Sequence, residues 1–331
     1  MSGVKNFEYD VVIVGAGPAG MCAGMYAGRA MLNAVVLERG FPGGELLNTE
    51  LVEDYPGFES ILGHELAEKF HTHAAKFGVE FKTGVPVTRV KRLDDGSFET
   101  VTESGDRYLS PTVIITAGGT PVKLGIPGEL EYAGKGVSYC AICDGAFFRG
   151  HTIAVVGGGD AATEEADFLT RYAEKVYLIH RRDQLRASKI LQQRLFANPK
   201  IEVIWDTVVE EAVGDAAGLL KTLKLHNLKT DSRSELAATG LFVFVGFKPN
   251  TGIIADHVNH DDMGYIVTDP HMQTSIRGLF AAGDLRSQLT RQVTTAVGDA
   301  TTAAIAAEKY LKLIKDGTPE VAIENAGGYS A

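Results

Sequence analysis

Residues 9–40, YDVVIVGAGPAGMCAGMYAGRAMLNAVVLERG, join a β-branched run, a glycine-rich turn, a small-residue segment and a second apolar run. In the turn, Gly15 permits a tight bend, Gly17 lets a pyrophosphate approach the backbone, and Gly20 allows close packing of helix on strand. Glu38 ends the second run 23 residues after Gly15, where a carboxylate can accept hydrogen bonds from a ribose. The stretch therefore predicts a strand, a helix and a second strand that bind a dinucleotide.

The same pattern returns in residues 151–189, HTIAVVGGGDAATEEADFLTRYAEKVYLIHRRDQLRASK. Gly157, Gly159 and Ala162 take the three turn positions, and the second apolar run ends at His180, again 23 residues after the first glycine. Repetition at this spacing indicates that the chain carries the dinucleotide-binding module twice.

The two copies differ at the end of their second strand. The acid of the first copy is replaced by His180, Arg181 and Arg182, with Arg186 about one helical turn further on. A carboxylate would repel a 2′-phosphate, whereas guanidinium groups bind phosphate through forked, charge-assisted hydrogen bonds. We therefore predict that this site prefers NADPH to NADH. The alternative is a solvated basic helix start, although a helix N-terminus favours acids over arginines.

Two dinucleotide sites in one redox protein indicate one permanently bound FAD and one exchanging nicotinamide. The last third of the chain supports this division, because a short predicted strand at residues 279–282 is followed by Gly283 and Asp284. Asp284 can bond a ribityl hydroxyl, and the predicted helix start at Gln292 and Val293 can direct backbone N–H groups at a flavin oxygen.

The predicted fold class is α/β, with two Rossmann-like three-layer nucleotide-binding domains, for FAD and NADPH, each carrying a small antiparallel β-meander. We place the NADPH domain, residues 119–247, as an insertion between the two parts of the FAD domain, residues 1–118 and 248–331. Glycine- and proline-containing joints at residues 116–128 and 241–253 are the predicted hinges.

Composition limits the remaining classes. The net charge is −10, from 32 basic and 42 acidic residues, and no dense basic run is present, which argues against nucleic-acid binding. Three cysteines cannot form a disulfide framework and no secretory signal is visible, so we expect a cytoplasmic protein. The uncharged residues 11–28 reach membrane-helix length, but their glycines and Pro18 favour a buried strand turning into a helix.

The stretch Val137 to Gly150, VSYCAICDGAFFRG, places Cys140 and Cys143 three positions apart. A structural zinc site needs four ligands, and the chain offers only Cys22 besides this pair and no suitable histidine pair. A structural disulfide closing so short a loop contributes little and is reduced in the cytosol. A redox-active dithiol is the remaining interpretation, with Asp144 suited to carry the proton that thiol–disulfide exchange requires. Asp144 could instead be a first-turn carboxylate favoured by the helix dipole, and Cys22 is expected to be a buried small residue.

With GAGPAG, CAICDG, GGGDAATEEA, HRRDQLRA and GLFAAGD followed by RQ, the chain resembles the low-molecular-weight thioredoxin reductases nearly from end to end. The resemblance implies a homodimer that moves electrons from NADPH to FAD, to Cys140 and Cys143, and then to a thioredoxin disulfide. It also implies rotation of the NADPH domain. By resemblance Cys143 faces the flavin and Cys140 attacks the protein substrate; the residues alone leave both assignments open.

Three positions depart from the usual family pattern near the expected FAD site. Glu45 stands where glutamine is common, Thr290 replaces an aromatic residue, and Ala300 replaces a glycine. A carboxylate at position 45 would disfavour a reduced, anionic flavin.

The competing interpretations are a reductase of the same fold fed by ferredoxin or NADH, or one that serves a peroxidase or a glutaredoxin-like protein. An oxygen-reducing flavin oxidase is disfavoured because the arginine cluster argues for NADPH. A non-enzymatic redox sensor is a further alternative, although the motifs leave no segment over for a regulatory or binding domain.

The predicted site residues fall into catalytic, FAD-binding and NADPH-binding groups, with no metal site. The catalytic group is Cys140, Cys143 and Asp144; the FAD group is Gly15, Gly17, Pro18, Ala19, Gly20, Glu38, Gly43, Gly44, Glu45, Asn48, Ala117, Gly118, Gly283, Asp284, Arg291, Gln292 and Val293; the NADPH group is Gly157, Gly159, Asp160, Ala161, Ala162, His180, Arg181, Arg182 and Arg186.

Overall fold

The computed structural model describes residues 6–49 and 51–316. Their backbone forms two compact units. Unit 1 contains the described residues up to Gly119 and from Pro249 onward, and unit 2 is the continuous segment Thr120–Lys248. Unit 2 is thus inserted into the sequence of unit 1.

The first stretch of unit 1 alternates short strands with two helices. These elements are β1 (Asn6–Glu8), β2 (Val11–Val14), α1 (Pro18–Arg29), β3 (Ala34–Leu37), a 3-10 helix (Gly44–Asn48), β4 (Leu51–Val52), β5 (Ile61–Leu62), α2 (Gly63–Ala75), β6 (Glu80–Lys82), β7 (Val87–Arg92), β8 (Phe98–Thr102), β9 (Arg107–Ser110) and β10 (Thr112–Ile115).

The chain then crosses into unit 2 and returns. The elements of this part are β11 (Gly119–Pro121), β12 (Val137–Ser138), α3 (Ala141–Asp144), a 3-10 helix (Gly145–Phe148), β13 (Thr152–Gly157), α4 (Asp160–Leu169), β14 (Lys175–Ile179), α5 (Lys189–Ala197), β15 (Ile201–Ile204), β16 (Thr207–Gly214), β17 (Leu220–Asn227), β18 (Arg233–Ala237), β19 (Gly240–Phe244) and β20 (Phe247–Pro249). The last stretch of unit 1 supplies β21 (Leu279–Ala281) and α6 (Val293–Lys315).

Unit 1 is built on a parallel sheet with strand order β21-β10-β2-β3-β6. Strands β2, β3 and β10 are buried along their whole length, as expected of parallel strands covered on both faces. One face packs on α1 and α6. The other packs on the antiparallel strands β7, β8 and β9, whose Val90, Phe98 and Tyr108 enter the second core.

Unit 2 repeats this architecture. Its parallel sheet has the order β12-β19-β13-β14-β15. Helices α4 and α5 contribute Ala166 and Leu195 to the core on one face. The antiparallel strands β16, β17 and β18 contribute Val209 and Leu223 to the core on the other. Each unit is therefore a three-layer α/β structure with its own meander, which confirms the predicted fold class.

Small residues let α1 and α6 approach closely. Cys22 of α1 is buried and carries a free thiol, as expected for this cysteine. Its Sγ lies 3.5 Å from the carbonyl oxygen of Val297 in α6. Ala300, where a glycine was expected, is fully buried in the same core.

Residues 11–28 fold as strand, turn and the start of a helix, as predicted. Within residues 6–49 and 51–316, no helix is both long enough and apolar enough to span a membrane.

Candidate active site

The first glycine turn follows β2 in unit 1. Gly15 has φ +103°, and a Cβ at this position would lie 2.6 Å from the carbonyl oxygen of Thr116. A Cβ on Gly20 would lie 1.8 Å from the carbonyl oxygen of Gly15. These two positions therefore admit only glycine, one for the turn and one for the packing of α1 on it.

Gly17, in contrast, has free space around it. A Cβ added there would meet nothing closer than the Cα of Gly44, at 3.8 Å, so the space above the turn is open. Gly17 is the N-cap of α1, Pro18 opens the helix, and its first turn carries no acidic residue. The first amides of a helix lack intrahelical acceptors, so this end of α1, which includes Ala19, can receive an anion.

The Gly43–Gly44 pair closes over this turn. The N–H of Gly43 donates to the carbonyl oxygen of Ala16 at 2.7 Å, and both glycines have positive φ, +144° and +55°. A Cβ on Gly44 would lie 3.0 Å from the Cα of Gly17. Two glycine motifs that are separate in the sequence are therefore adjacent in unit 1.

Glu38 is fixed beside the same turn. Its Oε2 accepts a hydrogen bond from the N–H of Ala16 at 2.7 Å, and its Oε1 accepts one from the N–H of Gly40 at 2.8 Å. The carboxylate is half-buried and held by backbone on two sides. Each oxygen retains acceptor capacity for a further donor.

The carboxyl ends of β2, β10 and β21 lie at one edge of the sheet, because the three strands are parallel neighbours. Gly15 follows β2, Ala117 and Gly118 follow β10, and Gly283 and Asp284 follow β21. The fold thus brings together predicted residues from both ends of unit 1, at the sheet edge where α/β folds bind ligands.

Asp284 carries a half-buried side chain for which residues 6–49 and 51–316 provide no hydrogen-bond partner. Burial raises the pKa of Asp284, the nearby guanidinium of Arg291 opposes this rise, and the carboxylate of Asp299 adds to it. Arg291 lies over the ring of Tyr265, 3.8 Å from the ring centroid, and its Nε donates to the carbonyl oxygen of Asp284 at 3.3 Å.

Glu45 lies in the 3-10 helix with Asn48. The side-chain amide of Asn48 donates to Oε2 of Glu45 at 3.2 Å. Glu45 remains accessible, but surrounding protein partly desolvates its carboxylate and so raises its pKa. The hydrogen bond from Asn48 acts against this rise and the charge of Asp284 acts with it.

The two backbone amides at the start of α6 differ in their hydrogen bonding. The N–H of Gln292, the N-cap, donates to Oγ1 of Thr295 at 3.0 Å and is therefore occupied. Val293 is the first residue of the helix, and its amide has no intrahelical acceptor.

Sequence patterns did not indicate two features of unit 1. Asn250 fixes the segment after β10: its side-chain amide donates to the Ala117 carbonyl at 2.8 Å and its N–H to the Gly118 carbonyl at 3.0 Å. Arg286 and Asp299 form a mostly buried bidentate ion pair, with N–O distances of 3.1 and 3.0 Å. These contacts span 133 and 13 residues, so no local sequence signal announces them.

Oδ2 of Asp299 also accepts the N–H of Gly283 at 3.3 Å. The ion pair therefore supports the backbone that presents Asp284.

The second glycine turn, in unit 2, repeats the first. A Cβ on Gly157 would lie 2.4 Å from the methyl group of Ala162, whereas a Cβ on Gly159 would meet nothing within 4 Å. Gly159 is the N-cap of α4, which begins with Asp160 and Ala161. This turn also leaves open space in front of a helix N-terminus.

The arginine cluster does not lie on a helix. Residues 181–188 form a loop and α5 begins only at Lys189, so the predicted helical turn between Arg182 and Arg186 was wrong. The loop is instead attached to the glycine turn. Gly158 accepts hydrogen bonds from the N–H groups of Arg186 at 2.7 Å and Ala187 at 3.2 Å. These long-range backbone bonds outweigh the local tendency to continue a helix.

Two side chains complete this attachment. Oδ1 of Asp160 accepts the N–H of Ser188 at 2.6 Å. His180 is buried, with Nδ1 at 2.7 Å from the carbonyl oxygen of Gly157 and Nε2 at 2.9 Å from that of Gln184. Neither ring nitrogen is directed at solvent, so the geometry favours His180 as a support for the loop.

The guanidinium groups of Arg181, Arg182 and Arg186 are exposed. None of them has a carboxylate partner within the described part of the chain. Three unpaired cations held beside an open helix N-terminus form a ready site for a phosphate group.

The cysteine motif also belongs to unit 2. Cys140 immediately precedes α3 and is disulfide-bonded. Cys143 lies within α3, and its side chain is outside the described part of the structure. Asp144 is the last residue of this four-residue helix and an acid of its first turn, so both interpretations of Asp144 stay open. Its N–H donates to the carbonyl oxygen of Cys140 at 3.3 Å. Among the described residues no cluster of metal-ligating side chains is present.

Comparison with known proteins agrees with this geometry. The family model for pyridine nucleotide-disulphide oxidoreductase matches residues 9–300. The thioredoxin reductase of Listeria monocytogenes is 47% identical over 309 residues, covering 93% of this chain and 95% of that protein. The thioredoxin reductase of Bacillus subtilis is 45% identical, covering 93% and 96%.

Among solved structures, Lactococcus lactis thioredoxin reductase in the FR conformation has a TM-score of 0.89 at 46% identity and covers 92% of this chain and 99% of its own. The family model spans most of the chain and the similarity to these relatives extends over nearly all of it, so the chain belongs to the pyridine nucleotide-disulphide oxidoreductase family.

Proposed function

We propose that the protein is an NADPH-dependent thioredoxin-disulfide reductase, in which electrons pass from NADPH through FAD to Cys140 and Cys143 and then to the disulfide of a thioredoxin. The observation that carries the proposal is that the disulfide-bonded Cys140 and the arginine-bearing glycine turn occur in the same unit. The relatives named thioredoxin reductase, 45–47% identical, support the choice of protein substrate.

The residues of unit 1 fit FAD. The open space at Gly17 and the uncapped start of α1 suit a pyrophosphate, and the unpartnered carboxyl group of Asp284 suits a hydroxyl donor. Glu38 would accept from the ribose, and Val293 would present its amide to the ring system. When bound, FAD supplies a two-electron relay between a nicotinamide and a dithiol.

The residues of unit 2 fit NADPH. The open space at Gly159 admits a pyrophosphate in front of α4, and Arg181, Arg182 and Arg186 would bind the 2′-phosphate. We assign His180 and Asp160 to holding the arginine loop against the turn. The proposal thus keeps the predicted domains, residues 1–118 and 248–331 for FAD and 119–247 for NADPH.

The protein substrate would be reduced by thiol–disulfide exchange. In the dithiol form, the thiolate of Cys140 attacks one sulfur of the thioredoxin disulfide and releases the other as a thiolate, which is protonated. Cys143 then displaces the reduced thioredoxin and restores the disulfide of Cys140. Asp144 is proposed to carry the proton.

The nicotinamide and the dithiol must reach the flavin in turn, which requires the NADPH domain to rotate. We propose β11 and β20, which pair as a two-stranded sheet where the chain crosses between the units, as the hinge segments. A cytoplasmic homodimer completes the proposal, and the mass of the purified protein in solution tests the dimer.

The experiment is an anaerobic titration with NADPH and, separately, NADH, in which the flavin absorbance at about 450 nm is followed. Fast bleaching by NADPH alone is expected. Equal bleaching by NADH, or no bleaching by either nucleotide with FAD bound, would show that the reductase uses a donor other than NADPH.

The Cys143→Ser variant should keep its flavin and still be bleached by NADPH, yet fail to reduce a purified thioredoxin. Cys22→Ser, at the buried cysteine outside the motif, is the matched control and should reduce thioredoxin normally. Normal thioredoxin reduction by Cys143→Ser would overturn the dithiol mechanism.

A further inference from the structure

Glu129 is a buried acid that the proposed function does not use. Glu129 is only 1% exposed, and its carboxylate accepts three hydrogen bonds. Oε1 accepts from the N–H of Leu124 at 2.8 Å and from the hydroxyl of Tyr139 at 2.8 Å, and Oε2 accepts from the N–H of Gly125 at 2.6 Å. A buried carboxyl group with three donors is fully satisfied and fixed in place.

The three donors come from two functionally distinct segments of unit 2. Leu124 and Gly125 lie in the loop that follows β11, where the chain enters the unit. Tyr139 lies between β12 and Cys140. Glu129 therefore joins the entry loop to the residue immediately before the disulfide-bonded cysteine.

The backbone of Cys140 has a second anchor. Oγ of Ser138 lies 3.1 Å from both the N–H and the carbonyl oxygen of Cys140, accepting from the first and donating to the second. Ser138 is itself buried and pairs with Phe242 in the parallel sheet. The segment of residues 138–140 is thus held to the sheet through Ser138 and to the entry loop through Tyr139.

We propose that Glu129 is a positioning residue for the redox cysteine: by binding the hydroxyl of Tyr139 it holds the backbone before Cys140 in the conformation of the disulfide form. The assignment of a redox role to Cys140 rests on the proposed function. An ordered segment loses less conformational entropy when the disulfide closes, so the anchor favours the oxidised form.

The effect is measurable by equilibrium with glutathione. The disulfide of Cys140 takes two electrons and two protons from two glutathione thiols, giving the protein dithiol and one glutathione disulfide. Loosening the anchor should shift this equilibrium toward the dithiol. Removal of one hydrogen bond is expected to change the equilibrium constant by about threefold to tenfold.

The decisive variants are Tyr139→Phe, which removes only the hydroxyl, and Glu129→Gln, which replaces the carboxylate by an amide of the same shape. Tyr177→Phe in β14 is the matched control, since this tyrosine belongs to neither segment and its ring lies beside Lys175 of the same strand. Full-length flavin-loaded protein is equilibrated in glutathione buffers, quenched by alkylation and analysed by mass spectrometry of the peptide carrying Cys140 and Cys143. Cys22 provides a buried thiol on a separate peptide as an internal reference.

We expect both variants to shift the equilibrium toward the dithiol while Tyr177→Phe does not. The double variant should shift it no further than Glu129→Gln alone, since both act through one bond. A Glu129→Gln variant that unfolds at lower temperature but titrates like the wild type, together with an unshifted Tyr139→Phe, would overturn the proposal and leave Glu129 as a brace of the loop.

The titration needs neither NADPH nor thioredoxin, so it separates this proposal from the proposed function. If the variants shift the glutathione equilibrium but the protein does not reduce thioredoxin, the positioning role of Glu129 stands and the proposed protein substrate is wrong. A wild-type Cys140 that cannot be reduced reversibly would overturn both.

Discussion

The imidazole of His180 fills the space beside Gly158: a Cβ on that glycine would lie 2.2 Å from the ring. The same ring bridges the carbonyl oxygens of Gly157 and Gln184. His180 thus connects the glycine turn to the loop that carries the arginines, and its contribution to nucleotide binding should pass through both.

Replacing His180 with alanine should raise KM for NADPH and for NADH alike, by about tenfold, because losing the ring and the hydrogen bond that its N–H donates loosens the turn proposed to bind both nucleotides. Steady-state kinetics with each nucleotide measures this. A KM increase confined to NADPH would show instead that His180 contacts the 2′-phosphate.

The double substitution of Arg182 and Arg186 by alanine should act differently. Two charge-assisted hydrogen bonds to the 2′-phosphate are lost, so kcat/KM for NADPH should fall by about 100-fold, whereas kcat/KM for NADH should hardly change. Arg171→Ala, two residues after α4 and over the ring of Phe168, is the control and should alter neither value. Equal losses for the two nucleotides would refute the assignment of the phosphate site.

Two glycines of the first turn should separate an effect on FAD binding from an effect on stability. Gly17→Ala puts a methyl group into open space, so the flavin-free protein should unfold at an unchanged temperature but bind FAD at least about tenfold more weakly. Gly20→Ala forces a methyl group to 1.8 Å from a carbonyl oxygen and should destabilise the flavin-free protein itself. Thermal unfolding and a fluorescence titration with FAD distinguish the two effects; unchanged FAD binding by Gly17→Ala would mean that no pyrophosphate lies there.

Asp284 should make stability depend on pH. Burial raises the pKa of Asp284 in the folded protein above its value in the unfolded chain. Between those two pKa values the folded protein binds more protons, so the free energy of unfolding falls as pH rises through this window. Urea unfolding of flavin-free protein across about pH 4 to 7 should show a smaller fall for Asp284→Asn than for the wild type.

Asp261 supplies a control of opposite sign. Desolvation is the largest single influence on Asp261, but hydrogen bonds from Ser287 and two backbone amides together lower its pKa. The contribution of Asp261 to stability is therefore present at neutral pH and lost as pH falls.

For the Asp284 prediction, identical pH profiles of Asp284→Asn and the wild type would show that the carboxyl group of Asp284 is not desolvated.

The sequence predicted those features that depend on local spacing. The two glycine turns, the acid after β3 and the arginines after β14 follow from strand and helix periods that any such module must obey. The family and the fold class predicted from these motifs are confirmed. The site roles of the individual residues stay predictions until the variants above are measured.

What the sequence did not reveal depends on contacts between distant segments. The spacing of Arg182 and Arg186 was interpreted as one helical turn, and the backbone bonds of the loop to Gly158 explain why it is not. Likewise the bond between Glu129 and Tyr139 and the bonds of Asn250 to the segment after β10 join residues whose types alone suggest no partner. Long-range pairing of this kind has no periodic signature.

The insertion of unit 2 also sets an order for synthesis on the ribosome. Unit 2 is one continuous segment, so its sheet can close as soon as Lys248 has left the exit tunnel. Unit 1 must wait, because β21 and α6, which complete its sheet and its helical layer, are translated last. The inserted half can therefore become protease-resistant on the nascent chain, while the half proposed to bind the flavin is assembled only near the end of translation.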